Sequence, residues 1–564
     1  MRGKILVVGG VAGGASVAAR VRRLDEYAEV IMFEKGPHVS FSNCSLPYHL
    51  SGIVEDSSKL VLMSPEVFKN RYNIEARVHH EVVKINRDRK TITVKDLLSE
   101  KTYEESYDKL VLSPGASPIR PNIEGVNQPH VFTVRNVVDI DHLNTHIKQN
   151  GIKNIAVIGG GFIGVEVAEN LKLAGYHVSL IEFANQMMTP FDYDMVQILH
   201  KEMVDNGINL IVNDGLAKIE ENYIVTNSGK KIDAETVVLA IGVKPEITLA
   251  KDAGLEIGET GAIKVDANYI TSDRDIYAVG DAIEVYHKIL HKPTRLALAG
   301  PAQKQARAAA DHIYGNMNRQ KGVIGSFSIH LFDLNAAATG LNVRTAEQAG
   351  IQCDSVYVMP GDKVGLMPNS NPMHFKLVYE VPTGRILGAQ AIGKGNVDKR
   401  IDVIATMITM NGTLEDLKDL ELTYSPMLGT ARDVVNHAAM VALNLLHGVY
   451  REVKVSEVRK LVEGNAFIID AREKSEYNAG HLKNAINIPL SEFRERLDEI
   501  PKDRPVYIHC RSGQRSYNMV MALQHLGYTN VYNISGSYLG ISLYEYYNDL
   551  VTGREKIVTE YNFK

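Results

Sequence analysis

Residues 153–182 read KNIAVIGGGFIGVEVAENLKLAGYHVSLIE, and the fold turns on them. An apolar run, Ile155 to Ile158, stops at three glycines. Gly159, Gly161 and Gly164 then stand in the spacing G-x-G-x-x-G, followed by a helical pattern and a second apolar run that ends at Glu182. This order predicts a strand, a tight turn, a helix and a parallel strand. The helix start offers backbone N–H groups and a positive dipole end to a pyrophosphate, and the acid accepts ribose hydroxyls. Glu182 would also repel a 2′-phosphate, and the following FANQ (183–186) supplies no Arg to hold one. NADH is therefore the expected cofactor here, with NADPH second to it.

The same unit stands at the N-terminal end. KILVVGGVAGGASVAARVRRL (4–24) reads as strand, glycine turn and helix, and EVIMFEK (29–35) as the next strand. Gly9, Gly13 and Gly14 form the turn, and Glu34 with Lys35 closes the second strand. Val11 occupies the place of the second glycine, so this copy departs from the strict pattern. Two such units imply two different dinucleotides. Three further strands run into Gly or Pro turns: YDKLVLSPGASP (107–118) with Gly115, TVVLAIGVKP (236–245) with Gly242, and TSDRDIYAVGDA (271–282) with Asp281.

Over residues 1–445 this order resembles the two-dinucleotide flavoprotein disulfide reductases, the pyridine nucleotide-disulfide oxidoreductase family. The resemblance implies FAD on the first unit, NADH on the second, and Asp281 against the ribityl chain of the flavin. It also implies that 326–446, with the hairpin pattern FKLVYEVPTGRILGAQAIG (375–393), is the interface domain of a homodimer. A third unit starts near 452. AFIIDAREKSEYNAGHLKNAINIPL (466–490) and PVYIHCRSGQRSYNMVMALQHLGY (505–528) resemble a rhodanese domain, with Asp470, Arg472, the GHL at 480–482 and Cys510 at its motif positions.

The expected fold is α/β throughout most of the chain. It comprises two Rossmann-like, glutathione-reductase-like domains, an α+β interface or dimerisation domain and a C-terminal α/β rhodanese domain. The boundaries drawn are 1–118 with 245–325 for FAD, 119–244 for NAD(P)H, 326–446 for the interface and 452–564 for the rhodanese.

Composition agrees with a soluble, multidomain chain. Of 564 residues 45% are hydrophobic and 23% charged, and the net charge is −5, which gives no basic surplus for nucleic acid. No stretch of 18 apolar residues predicts a membrane span, and VVNHAAMVALNLLHGV (434–449) reads as a buried helix. The glycines that break the N-terminal apolar run argue against a signal peptide, so a cytoplasmic location is expected. No metal-ligand cluster is read. Three cysteines, Cys44, Cys353 and Cys510, do not make a disulfide framework and fit a reducing compartment.

Cys510 follows a buried strand and opens a loop, Arg511, Ser512, Gly513, Gln514 and Arg515, that leads into a helix. Backbone N–H groups curling around the sulfur would lower the thiol pKa and hold an anion carried on it. A cysteine phosphatase needs Arg six positions after its Cys, and that position is Ser516. The shorter loop favours a persulfide carrier.

Cys44 has no second cysteine beside it, so its oxidised partner must come from outside. Sulfenic acid cycling, as in NADH peroxidases and oxidases, a mixed disulfide with a small thiol, and attack on a persulfide all remain open. The flank SFSNCSLPYHLSG (40–52) resembles the coenzyme A disulfide reductases and related persulfide reductases. That resemblance implies that Cys44 is a nucleophile facing the flavin; a thiolate beside a flavin and near a helix start can stay ionised at neutral pH. It implies substrate contacts from Ser40 and Asn43, and coenzyme A contacts from Ser16, Arg20 and Arg23. Arg20, Arg22 and Arg23 also suit an ordinary solvated helix face. Tyr424 and Arg432, in ELTYSPMLGTARD (421–433), match a tyrosine that reaches the partner's active site and a nearby basic residue.

The sequence departs from those reductases where they carry a second tyrosine, because Leu366 and Met367 stand there, and where a basic contact falls on Tyr72. Cys353 has no motif and reads as a structural thiol. The two cysteine units together imply NADH-driven, FAD-dependent reduction of low-molecular-weight persulfides such as coenzyme A persulfide, with sulfide released at Cys44 and sulfane sulfur relayed by Cys510. Coenzyme A disulfide reduction is the second reading.

Overall fold

The computed structural model describes residues 3–317 and 322–563. The chain divides into two compact units. One runs up to Asn185 and resumes over Ile211–Val323; the other holds Gln186–Leu210 and everything described from Ile324 onward.

The first unit contains both predicted nucleotide folds. One parallel sheet runs in the order Ile276–Ala278, Lys109–Leu112, Lys4–Val8, Glu29–Glu34, Glu75–Val78. Its central strands are covered on both faces, which is why they read as unbroken apolar runs: Leu6, Val7, Ile31, Met32, Leu110 and Val111 are buried. The helix Ala12–Leu24 crosses back between the first two strands and packs on the helix Ala299–Ile313. The second sheet repeats the plan, with His177–Ile181, Asn154–Ile158, Thr236–Leu239 and Val131–Thr133 in parallel.

Both turns demand glycine for the same steric reason. A Cβ on Gly14 would lie 1.8 Å from the Gly9 carbonyl oxygen, and one on Gly164 would lie 1.8 Å from the Gly159 oxygen. Gly9 and Gly159 themselves have φ of 94° and 109°, a region that L side chains avoid.

The solvated face weighed for Arg20, Arg22 and Arg23 holds for Arg23, which is exposed, and fails for Arg22. Arg22 is only 6% exposed. Its guanidinium donates to the carbonyls of Tyr72, Asp25, Glu26, Ala28 and Asn73 at 2.7–2.9 Å, closing the chain end of one helix against another. The planar fork of donors suits that task and the ammonium of lysine does not.

In the second unit an antiparallel sheet runs Phe327–Leu331, Leu334–Gly340, Ile386–Gly393, Met373–Glu380, Cys353–Val358. The predicted hairpin is its centre, and the helices Val397–Thr409 and Val434–Leu446 pack on it. The C-terminal parallel sheet runs Glu452–Val453, Val531–Ile534, Val506–His509, Phe467–Asp470, Ala485–Asn487.

Residues 186–210, inside the stretch read as the NAD(P)H domain, group with this second unit. Their helix, Tyr193–Asp205, lies against the helix Ser537–Thr552, where the Tyr193 hydroxyl donates to Asn548 at 3.0 Å. Lys376, buried in the antiparallel sheet, reaches Asp194 at 2.8 Å and Asp192 at 3.1 Å.

Candidate active sites

The helices Ala12–Leu24 and Phe162–Leu173 both start without a side-chain cap. Some other helices are capped by a side chain, Ser64, Asn136 and Asp433 for example, and others, such as Tyr193–Asp205 and Ala299–Ile313, are not. An uncapped start after a glycine turn is the arrangement that leaves backbone donors for a phosphate. A Cβ on Gly161 would meet nothing within 4 Å, so the second loop opens onto space.

Glu34 and Glu182 do the same work in the two units. Glu34 accepts from the N–H of Gly10 at 2.9 Å and of Gly36 at 2.8 Å; Glu182 accepts from Gly160 at 2.6 Å and Ala184 at 2.7 Å. Each carboxylate has about four acceptor positions, so two are kept for a ribose. Gly115 and Gly242 take φ of 74° and 110° in their turns. Lys35 is exposed. The residues present fit two dinucleotides.

Asp281, expected against the ribityl chain, is held by Arg135, whose Nη2 lies 3.2 Å from Oδ2. Arg135 carries no motif, and the sequence reading did not single it out.

Cys44 sits on the short 3₁₀ turn Asn43–Ser45 with its thiol reachable from solvent. The loop is anchored to the first glycine turn: the N–H of Ser40 donates to the Gly10 carbonyl, and the Ser40 carbonyl accepts from Leu62, each at 2.8 Å. Ser40 has φ of 49°. Oδ1 of Asn43 is buried and meets no donor. An acceptor left that way costs about 1–3 kcal/mol unless water or a ligand meets it.

The polypeptide's own burial and charges work against a thiolate at Cys44. Burial of the sulfur's inner side raises the Cys44 pKa, and the charges of Glu166 and Asp281 raise it further, with Arg135 opposing them. Glu166, on the helix Phe162–Leu173, is itself pushed up to about 7 by burial and by neighbouring Glu169. The polypeptide alone therefore favours the thiol.

The coenzyme A candidates divide. Arg20 is already paired with Asp311 at 2.5 Å, so a phosphate would have to displace a carboxylate there. Ser16 is half-buried and Arg23 exposed. Tyr72 is half-buried on the core beside Phe68, with ring centroids 6.3 Å apart. In the second unit, Tyr424 and Arg432 lie exposed on the loop before the helix Val434–Leu446. That loop is joined to the one carrying Leu366 and Met367 by the Val364 N–H on the Gly429 carbonyl at 3.2 Å. Leu366 is 89% exposed and Leu428 67%.

Cys510 is buried at the end of its strand. Its sulfur accepts the Gly513 N–H at 3.1 Å and the Ser516 hydroxyl at 3.6 Å, and Gly513 takes φ of 105° to make the turn. Ser512 is half-buried and Gln514 exposed. Arg515, expected as a loop cation, is clamped by Glu476 through two bonds of 2.6 and 2.8 Å. Under the loop, Arg472 and Asp470 form a buried ion pair at 2.6 Å. Arg472 also donates to the Gly480 carbonyl at 2.7 Å and lies over the Tyr538 ring. Cys353 begins an edge strand of the antiparallel sheet, half-buried, with its pKa raised by burial.

Two dinucleotide folds with an isolated thiol beside the first glycine turn, followed on the same chain by a cysteine cradle, define a thiol-dependent oxidoreductase with an appended sulfur-handling domain. The family comparisons agree. The model for pyridine nucleotide-disulphide oxidoreductases matches residues 3–306, that for the family's dimerisation domain matches 327–434, and that for rhodanese-like domains matches 454–543. The chain belongs to the pyridine nucleotide-disulphide oxidoreductase family. It is an FAD- and NAD(H)-dependent enzyme that carries a rhodanese-like domain.

A coenzyme A disulfide reductase of Staphylococcus epidermidis is 33% identical over 434 residues, 77% of this chain and 98% of its own. The solved structure of reduced CoADR-RHD from Bacillus anthracis is 44% identical, covers 97% of this chain and 98% of that one, and superposes with a TM-score of 0.93. An NAD-dependent persulfide reductase from A. fulgidus is 33% identical, covers 95% and 99%, and gives a TM-score of 0.91. No described helix is long and apolar enough to cross a membrane.

Proposed function

We propose that this enzyme reduces low-molecular-weight persulfides, coenzyme A persulfide above all, with electrons from NADH. The observation that carries the reading is the pairing on one chain of an isolated, accessible Cys44 with the buried Cys510 cradle. Cys44 has no neighbouring cysteine to form an internal disulfide, so the sulfur–sulfur bond it reduces arrives with the substrate.

In the balanced reaction, coenzyme A persulfide, NADH and a proton give coenzyme A, hydrogen sulfide and NAD⁺. Bound FAD supplies the hydride-accepting and electron-pair-donating chemistry between NADH and sulfur. Cys44 attacks the inner sulfur of the persulfide as a thiolate, forms a mixed disulfide with coenzyme A, and expels sulfide. Two electrons then cleave that disulfide to regenerate Cys44 and free coenzyme A. Asn43 and Ser40 position the incoming sulfur, and Glu166 holds or releases a proton beside Cys44 according to pH. Ser16 and Arg23 contact coenzyme A, with Arg20 joining only where Asp311 yields it.

Cys510 takes sulfane sulfur from a donor and passes it to the coenzyme A thiol, with no net redox change. The Gly513 N–H and the Ser516 hydroxyl steady the sulfur through both transfers. The protein works as a cytoplasmic homodimer, in which the exposed loop of Tyr424 and Arg432 meets the partner. FAD binding falls to 1–118 with 245–325, NADH binding to 119–244 apart from 186–210, the dimer interface to 326–446 and sulfur transfer to 452–564.

The relative named as a coenzyme A disulfide reductase supports a second reading, with the disulfide as principal substrate and the rhodanese domain in an accessory role. Two variants separate the parts. Cys44→Ser is expected to stop NADH-dependent sulfide release and keep sulfur transfer by Cys510; Cys510→Ser is expected to do the reverse when coenzyme A persulfide is supplied directly. Full NADH-dependent sulfide release by Cys44→Ser would refute the assignment.

A further inference from the structure

The helix Ser537–Thr552 begins directly against Cys510. The Cys510 N–H donates to Oγ of Ser537 at 3.2 Å, and that oxygen lies 4.0 Å from the Cys510 sulfur. The N–H of Tyr538 donates to the Cys510 carbonyl at 3.0 Å, and that of Leu539 to the Arg511 carbonyl at 3.1 Å. Ser537 is fully buried and has φ of 46°. A left-handed residue other than glycine costs about 1–2 kcal/mol, and such strain persists only where the surroundings over-determine it.

The surroundings come from another domain. A Cβ on Gly536 would lie 3.2 Å from the ring of Tyr357, and one on Gly540 would lie 3.3 Å from it, so the tyrosine fills the space that two glycines leave. Gly536 has φ of 74°. Tyr357 belongs to the strand Cys353–Val358 at the edge of the antiparallel sheet, within the dimerisation segment. Its hydroxyl is 2.6 Å from Nδ1 of His374 on the adjacent strand, and both side chains are buried. Burial holds His374 down at about 4 and raises the Tyr357 phenol, so near neutral pH the phenol donates to a neutral imidazole.

We propose that Tyr357, fixed by His374, is a positioning residue for the Cys510 thiol: the dimerisation domain braces the turn at Gly536 and Ser537 that sets the sulfur loop. This rests on reading Cys510 as the sulfur-carrying thiol. Tyr357 touches neither the sulfur nor a substrate and acts through Ser537. The rhodanese-like domain is then no independent passenger, because its reactive loop depends on a ring from outside it.

The test uses the full-length, FAD-loaded protein in a Cys44→Ser, Cys353→Ser background, so that only Cys510 alkylates. Iodoacetamide modification is followed against pH, and thiosulfate-to-cyanide sulfur transfer is measured alongside. Tyr357→Ala is expected to change the alkylation rate about tenfold, to move its pH midpoint, and to lower kcat for transfer more than it raises KM, since misplacement of a reacting group by about 1 Å costs up to about 10²-fold. Tyr357→Phe keeps the ring and is expected to restore most of both.

Should Tyr357→Ala unfold the domain, Gly540→Ala serves instead. It adds one methyl against the Tyr357 ring at a helical position where alanine is favoured over glycine, and it is expected to shift alkylation in the same sense by a smaller factor. Wild-type alkylation rate and pH midpoint in a folded Tyr357→Ala or in Gly540→Ala would overturn the proposal. If the unmutated background alkylates but transfers no sulfur, the reading of Cys510 fails while the alkylation arm still decides the positioning claim.

Discussion

Replacing Asp470 by Asn removes the carboxylate from the buried pair under the Cys510 loop. Arg472 bonds Asp470 through Nε at 2.9 Å and through Nη2 at 2.6 Å, and neither residue is more than 1% exposed. Burial opposes ionisation of Asp470, but His509 and Arg472 together hold its pKa below the ordinary carboxylate range. Asp470→Asn leaves an arginine that cannot shed its charge beside a neutral amide, which keeps one acceptor oxygen but turns an NH2 where the second oxygen was; the Gly480 carbonyl and the Tyr538 ring stay as its other partners. Breaking one side of a buried pair costs about 3–5 kcal/mol, whereas replacing both sides by apolar residues of similar volume is often near neutral. At 1.4 kcal/mol per decade this is roughly two to four decades in the opening equilibrium. Hydrogen exchange reads it directly: the strands Phe467–Asp470 and Val506–His509 are expected to lose that much protection, while Lys4–Val8 in the other unit stays unchanged. The pair Asp470→Leu with Arg472→Met is expected to recover most of the loss. A fall of less than about tenfold for Asp470→Asn, or a double variant as weak as the single, would show that the ion pair is not what holds the loop's floor.

Three further outcomes follow from the same geometry. Glu166→Gln is expected to shift the alkylation profile of Cys44 to lower pH: above about pH 7 the ionised Glu166 opposes the thiolate, and glutamine removes that charge. An unchanged midpoint would remove Glu166 from the site. Glu476→Gln frees the clamped Arg515 and is expected to lower the KM of Cys510 for the thiosulfate dianion by about threefold, a modest change for a half-exposed pair; steady-state transfer assays check it. Arg22→Ala strips donors from five carbonyls and is expected to cost about 3 kcal/mol or more in thermal or urea unfolding, and Arg22→Lys recovers little of it because the ammonium cannot span the same fork.

The nucleotide folds were legible because their constraints are local. Gly14 must be small against Gly9, and Gly164 against Gly159, within five positions of chain, so the glycine spacing carries the turn. Val11 breaks the written pattern without breaking the fold: it stands just before the helix with φ of −104°, outside the region reserved for glycine. Cys44 and Cys510 were legible as isolated thiols in recognisable flanks. What could not be read depends on chain segments far apart in sequence. Arg135 meets Asp281 across 146 positions, and Glu476 meets Arg515 across 39. Arg22 looks like any surface arginine until the carbonyls of Tyr72 and Asn73 arrive. The helix Tyr193–Asp205 follows the second nucleotide motif in sequence, yet Lys376 and Tyr193's partner Asn548 bind it to the other unit. The raised pKa of Cys44 likewise comes from burial first and then from Glu166 and Asp281, which other elements bring to it.

On the proposed function, persulfide and not disulfide is the substrate the two cysteines share. Anaerobic NADH oxidation by the purified, FAD-loaded protein, with coenzyme A persulfide and coenzyme A disulfide compared side by side and sulfide recorded, tests it most directly. Faster turnover on the persulfide is expected, with one sulfide released per NADH consumed. Faster turnover on the disulfide, with little sulfide from the persulfide, would contradict it and leave the rhodanese domain with a separate task.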